Sequence, residues 1–140
     1  MRLVACAAPD YLARHGVPKH PDDLVRHNCF TYEYAPVKNQ WRFNDRKGGE
    51  IRVHVEGSVH ANNGEMLAAI AAAGTGIALE PDFIVNPLCA SGQLVEILKS
   101  YRPAPYSIYA VYPSRRHLSA KVRTFVDFLA QRFAGTLAAG

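Results

Sequence analysis

At 140 residues, 49% of them hydrophobic and 20% charged, the chain has the composition of one globular domain and not of a disordered segment. A net charge of +4 permits an acidic partner without demanding one, because the basic residues are scattered along the chain. Cys6, Cys29 and Cys89 are widely spaced, with no C-x-x-C pair, which argues against a disulfide framework and fits a reducing cytoplasm.

In chain order, Leu3 to Ala7 reads as a buried strand. It gives way too soon to Pro9-Asp10 for the opening residues to be a secretory leader, and no apolar run approaches membrane-spanning length. Pro9 and Gly16 bracket a short helix through Tyr11 and Leu12, and Pro21 with Asp22 and Asp23 starts a second that exits at Asn28. Cys29 to Tyr34 alternates Phe30, Tyr32 and Tyr34 against Thr31 and Glu33, a strand with two distinct faces. Gln40 to Phe43 and Ile51 to Glu56 flank a glycine turn as a hairpin, with Ile51, Val53 and Val55 on one face.

Residues 57–80 carry the most information. They read as a strand, the polar turn Asn62-Asn63-Gly64, an Ala-rich helix, a Gly-x-Gly exit and a strand from Ile77 to Leu79. The first N–H groups of such a helix have no partner within it, so its start either is simply capped or receives a small anion. Beyond Pro81 comes a helix through Phe83, Ile84, Val85 and Leu88, then a strand from Leu94 to Leu98. A loop holding Pro103 and Pro105 precedes an aromatic strand, Tyr106 to Tyr112. Ser119 is placed to cap a last helix whose apolar stripe is Val122, Phe125, Val126, Leu129 and Phe133. Strands alternating with helices predict an α/β fold with a mixed, mostly parallel sheet flanked by helices. Ligands of such sheets bind off the carboxyl ends of the strands.

Catalytic signatures are missing. The chain has no G-x-S-x-G elbow, no P-loop and no H-E-x-x-H. Gly74-Thr75-Gly76 leaves a helix and enters a strand, the wrong polarity for a dinucleotide fingerprint. His54 and His60 would lie about 20 Å apart on a continuous strand, too far to share a metal. Neither enzyme activity nor a cofactor is expected. The two early helices do not suit DNA, since Asp22 and Asp23 would stand where phosphates lie.

Taken together, RLVACAAPDYLARHG, HPDDLVRHNC, the WRF strand, HANNGEMLAAIAAAGTGIALEPDF, GQLVEIL and YSIYAVYPSRRHLSAKVRTFVDFL resemble LysR-type transcriptional regulators. The likeness runs in family order from Leu3 to Phe133, with Ala120 standing where the family often has proline. The resemblance implies the second lobe of an effector-binding domain of the periplasmic-binding-protein type II. Residues 1–112 would form that lobe, and 113–140 a return segment and helix that pack on a first lobe outside this chain. It further implies a cytoplasmic bacterial regulator that senses a small molecule, reaches DNA only through a helix-turn-helix domain outside this chain, and forms a homo-oligomer. Carried over residue by residue, the ligand site falls on Asn62, Asn63 and Gly64 at the helix start, on Thr31 and Tyr32 as hydroxyl and aromatic wall, and on Glu80. For Glu80 the alternative is plain solvent exposure; for Thr31 and Tyr32 it is a strand end without a ligand. A small-ligand module of a transport system would share the fold, and a small α/β enzyme would need a converging nucleophile and base that the residues do not supply.

Overall fold

The computed structural model describes residues 1–35, 37–105, 109, 111 and 119–137, with side chains of the last helix described through residue 132. Two compact units divide the chain, one being Arg2–Pro105 and the other the C-terminal portion with Met1.

The larger unit is built around β1 (Leu3–Ala7), whose five residues are all buried. Successive side chains of a strand point to opposite faces, and here both faces are covered. Ala5 and Ala7 join a core with Tyr11, Leu12, Leu24, Trp41, Phe43, Val53 and Val55. Val4 and Cys6 join a second core with Phe30, Leu67, Ala68, Ala71 and Val85. Small residues on β1 allow both layers to approach closely.

The first core is closed by α1 (Pro9–His15), a 3-10 helix over Pro21–Arg26, and the hairpin of β3 (Gln40–Asn44) and β4 (Glu50–His54). The hairpin turn is held by Asp45, whose Oδ1 accepts from the N–H groups of Lys47 at 2.7 Å and Gly49 at 2.8 Å. As the alternation predicted, Val53 and Val55 are buried and Ile51 packs against them. The second core is covered by α2 (Gly64–Ala72) and α3 (Asp82–Ala90). Between the layers run β2 (Thr31–Tyr32), β5 (His60–Ala61), β6 (Ile77–Pro81) and β7 (Val95–Glu96).

The fold is mixed α/β, but the expectation of a mostly parallel sheet is corrected. β1 pairs antiparallel with both β6 and β7, and β3 pairs antiparallel with β4 and with β8 (Arg102–Pro103). Among the described residues only β2 with β5, and a single bridge from Cys29 to Ile77, run parallel. A helix between two strands in sequence forces them parallel only if they become neighbours in one sheet. Here β1 takes its neighbours from further along the chain. The proline loop also differs from expectation: Pro103 pairs opposite Phe43 at a sheet edge, where the missing N–H costs no ladder bond.

Of the expected strand Tyr106 to Tyr112, most residues lie outside the described ones, and Tyr109 and Val111 are in no regular structure. In the smaller unit α4 (Ala120–Leu137) begins at Ser119, whose Oγ accepts from the Val122 N–H at 3.4 Å. Val122 and Phe125 of its stripe are exposed, Val126 and Leu129 half-buried, and the Phe133 side chain lies outside the described residues.

The start of α2 is capped by its own sequence. Asn63 takes the N-cap position with extended backbone, and its Oδ1 accepts from the Met66 N–H at 3.0 Å. Asn63→Ala is expected to lower stability by about 1 kcal/mol, the usual worth of a cap. Urea denaturation of the two chains measures it; an unchanged midpoint would mean the cap is idle.

Candidate ligand-binding site

Three strands bring their carboxyl ends to one edge. β2 and β5 are parallel, and the Cys29–Ile77 bridge sets β6 in the same direction. The bridge is cemented by Phe30 N–H donating to Ile77 O at 2.9 Å and Ile77 N–H to Asn28 O at 2.8 Å. At this edge α2 begins just after β5, and α3 follows directly from β6. Sequence-remote residues 31, 60, 64 and 80 thus come to the same rim.

A cleft of about 200 Å³ opens there, lined by Thr31, Tyr32, Glu33, Lys38, Asn39 and His60. Thr31 is buried, and its Oγ1 is hydrogen-bonded to Nδ1 of the exposed His60. Parallel pairing causes this contact, because it sets Thr31 directly opposite His60. Tyr32 is partly exposed and meets Tyr34 edge-on, with ring centres 6.2 Å apart. Lys38 Nζ donates to Glu33 Oε1 at 3.0 Å, an exposed pair that contributes little to stability. Asn39 adopts the left-handed region at φ 56°, which asparagine tolerates better than most residues, and its carbonyl accepts from Val55 N–H at 2.8 Å. Hydroxyl, imidazole, amide, ammonium and carboxylate line one small opening beside an aromatic ring. That array presents both hydrogen-bond donors and acceptors to the opening.

The second grouping is at the start of α2. Asn62 and Asn63 are exposed, and Gly64 is half-buried. Gly64 lies against Glu80, whose Oε2 would be 2.3 Å from a Cβ at position 64. A Cβ there would displace the carboxyl from its present position. Glu80 is 4% exposed, so solvent exposure is the wrong reading for it. It points to the α2 and α3 side of the sheet, with Val4 opposite on β1 and Ile84 alongside. An ionised carboxylate is disfavoured in such surroundings, and burial pushes its pKa up to about 7.

The structure therefore joins Thr31 with Tyr32 in the cleft wall and Gly64 with Glu80 at the helix start. It does not place Asn62, Asn63, Gly64 or Glu80 in the lining of the cleft. Sequence reasoning missed Glu33, Lys38, Asn39 and His60. His60 was weighed only as a metal partner of His54, yet His54 approaches Glu56 at 3.7 Å while His60 turns to Thr31. Its position two residues before the Asn62-Asn63 turn was the available signal. Asn28 was read only as a helix exit, but its side chain ties three segments: Oδ1 accepts from Ser58 N–H at 2.8 Å, and Nδ2 donates to Thr75 O at 2.8 Å. Among the described residues no group of three or more His, Cys, Asp or Glu side chains is placed to hold a metal ion. Cys6 and Cys29 are buried and free, their thiols pushed far up by burial, Cys29 to about 12.

The family model of the LysR substrate binding domain matches residues 1–134. The chain belongs to that family. This LysR substrate-binding domain is 38% identical over 132 residues to the HTH-type transcriptional regulator DmlR of Escherichia coli strain K12, covering 94% of this chain and 42% of that protein. An uncharacterised HTH-type transcriptional regulator of Haemophilus influenzae is 40% identical over 116 residues, 83% of this chain and 40% of that protein. Among solved structures, the full-length Vibrio cholerae virulence activator AphB, a member of the LTTR family, matches with a TM-score of 0.78 at 27% identity, over 94% of this chain and 44% of that one. The regulatory domain of CrgA, a LysR-type regulator of Neisseria meningitidis, matches at 0.68 and 30% identity, over 93% and 64% of the two chains. This LysR substrate-binding domain thus spans less than half the length of the first three proteins. Those relatives are named as transcriptional regulators or activators. No helix among its described residues is long and apolar enough to cross a membrane.

Proposed function

We propose that this LysR substrate-binding domain is the second lobe, of the periplasmic-binding-protein type II, of a cytoplasmic regulator's effector domain. It contacts a small polar effector at the carboxyl edge of β5, β2 and β6. The observation that carries this reading is the cleft whose wall joins Thr31 to His60. Its volume of about 200 Å³ falls below the usual range for a whole small-molecule pocket, as half of a shared site would. Thr31, Tyr32 and His60 would hold polar groups of the effector, and the α2 start at Asn62, Asn63 and Gly64, with Glu80, would take another end of it. Residues 1–112 would form the lobe, with 113–140 returning to a first lobe outside this chain. DNA would be reached through a helix-turn-helix domain of the same regulator, working as a homo-oligomer. The exposed Val122 and Phe125 supply an apolar surface for such packing.

In the regulator that carries this chain, His60→Ala and Asn62→Leu are each expected to raise the inducer concentration for half-maximal response about tenfold, one lost polar contact being worth about 1.5 kcal/mol. Promoter affinity in gel-shift titration should stay within twofold of the parent. Induction at parental concentrations by both variants would remove the cleft and the helix start from the effector site.

A further inference from the structure

The start of α2 holds donors without acceptors next to an acceptor without donors. Of its first N–H groups, Met66 is taken by Asn63 Oδ1 and Leu67 by Asn63 O at 3.1 Å. The N–H groups of Gly64 and Glu65, which a helix cannot satisfy internally, have no acceptor among the described residues. Against Gly64 lies the carboxyl of Glu80, a residue only 4% exposed, and no described residue donates a hydrogen bond to it. None of its oxygens is wholly sealed, since no fully buried side-chain polar atom among the described residues lacks a partner. The carboxyl thus keeps some contact with solvent beside Gly64.

We propose that the amino terminus of α2 binds a small carboxylate through the Gly64 and Glu65 amides, and that Glu80 makes this binding proton-dependent. Protonated, Glu80 is neutral and donates its O–H to the incoming carboxylate. Ionised, it sets a like charge beside the same amides and excludes the ligand. The inference rests on the proposed effector site and adds to it a class of ligand and a mode of regulation.

The other titratable and charged groups around Glu80 do not supply the switch. From β1 the nearby group is the buried Cys6 thiol, held neutral by burial. Arg2, preceding β1, is paired with Glu96 of β7 at 3.2 Å. From α2 there is the exposed Glu65, and from α3 there are Asp82, whose Oδ1 accepts from Phe83 N–H at 2.9 Å, and the Cys89 thiol, pushed up by burial. No described basic side chain hydrogen-bonds Glu80, and its rise to about 7 has burial as its cause.

Sodium formate is a suitable probe because it stays ionised at neutral pH. The 140-residue chain, labelled with nitrogen-15, is titrated with formate at pH 6 and pH 8 while the Gly64 and Glu65 amide resonances are followed. With binding confined to the protonated form, apparent affinity should be about tenfold higher at pH 6 than at pH 8. Glu80→Gln, isosteric and always neutral, should bind formate equally at both pH values. Equal affinities in the parent, or a pH dependence that survives in Glu80→Gln, would overturn the role of Glu80 while leaving the effector cleft standing. No movement of either amide at either pH would overturn the helix-start site itself. Failure of the cleft variants to alter induction would instead count against the proposed function.

Discussion

Replacing Gly57 by alanine is expected to destabilise the Arg2–Pro105 unit by about 3 kcal/mol, the upper end of what overpacking costs. A Cβ at position 57 would sit 2.0 Å from the Cys29 carbonyl oxygen and 2.6 Å from its carbon. These are backbone atoms, so no side-chain rotation relieves the contact. The segment leading into β2 must move away from the segment leading into β5. That movement strains the Cys29 N–H bond to Glu56 O at 2.9 Å and the two bonds between Asn28 and Ser58, one donated by each. It also shifts the register that sets Thr31 opposite His60, so the cleft should suffer with the fold. Gly92 provides the control. It sits at φ +77° in open space, where alanine meets nothing and pays only for left-handed backbone, about 1 kcal/mol. Urea midpoints of the two variants compare them directly. A Gly57→Ala loss no larger than that of Gly92→Ala would show that the two segments are not packed this tightly.

Glu80→Gln should stabilise the chain at pH 8 by up to about 3 kcal/mol and leave it nearly unchanged at pH 4. The sign follows from where the proton sits. Burial moves the Glu80 carboxyl from its ordinary 4.5 to about 7. Between those values the folded chain keeps a proton that the unfolded chain has released, so stability falls as pH rises through that window. Below it both states are protonated and the glutamate is no worse than its amide. Above it the folded state carries a buried charge that glutamine lacks. Contact of the carboxyl with solvent at the rim brings the gain below its upper figure. Urea denaturation at pH 4 and pH 8 reads the difference; a gain of the same size at both would show that ionisation is not its source.

Both effects arise where distant segments meet, and that is also where reading the chain alone fell short. Leu3 to Ala7, the Asp45 turn with its flanking strands, the Asn63 cap and the Ser119 start of the last helix were legible before any coordinates. Each depends on neighbours within a few residues: apolar runs, an Asx turn, a side chain reaching three residues ahead. Family membership was legible for a different reason, since the order of many weak motifs along the chain is itself specific.

The pairing of strands was not legible. Alternating strands and helices suggested parallel crossovers, yet β1 selects β6 and β7 as antiparallel neighbours. Nothing in Leu3 to Ala7 names its partners, because small apolar residues fit many. Glu80 shows the same limit. The run Leu79-Glu80-Pro81 looks like a strand end reaching water, but Gly64 and Ile84 close over it. Burial, and with it the shifted carboxyl, comes from α2 and α3 lying across β6. His60 became a cleft residue only when the parallel register of β2 and β5 set it opposite Thr31. Local patterning, in short-range hydrogen bonds and apolar spacing, thus settled the elements and the family from sequence. Which side chains share a rim, and which carboxyl is dehydrated, was decided by long-range packing, because desolvation depends on atoms that the chain's own neighbours do not provide.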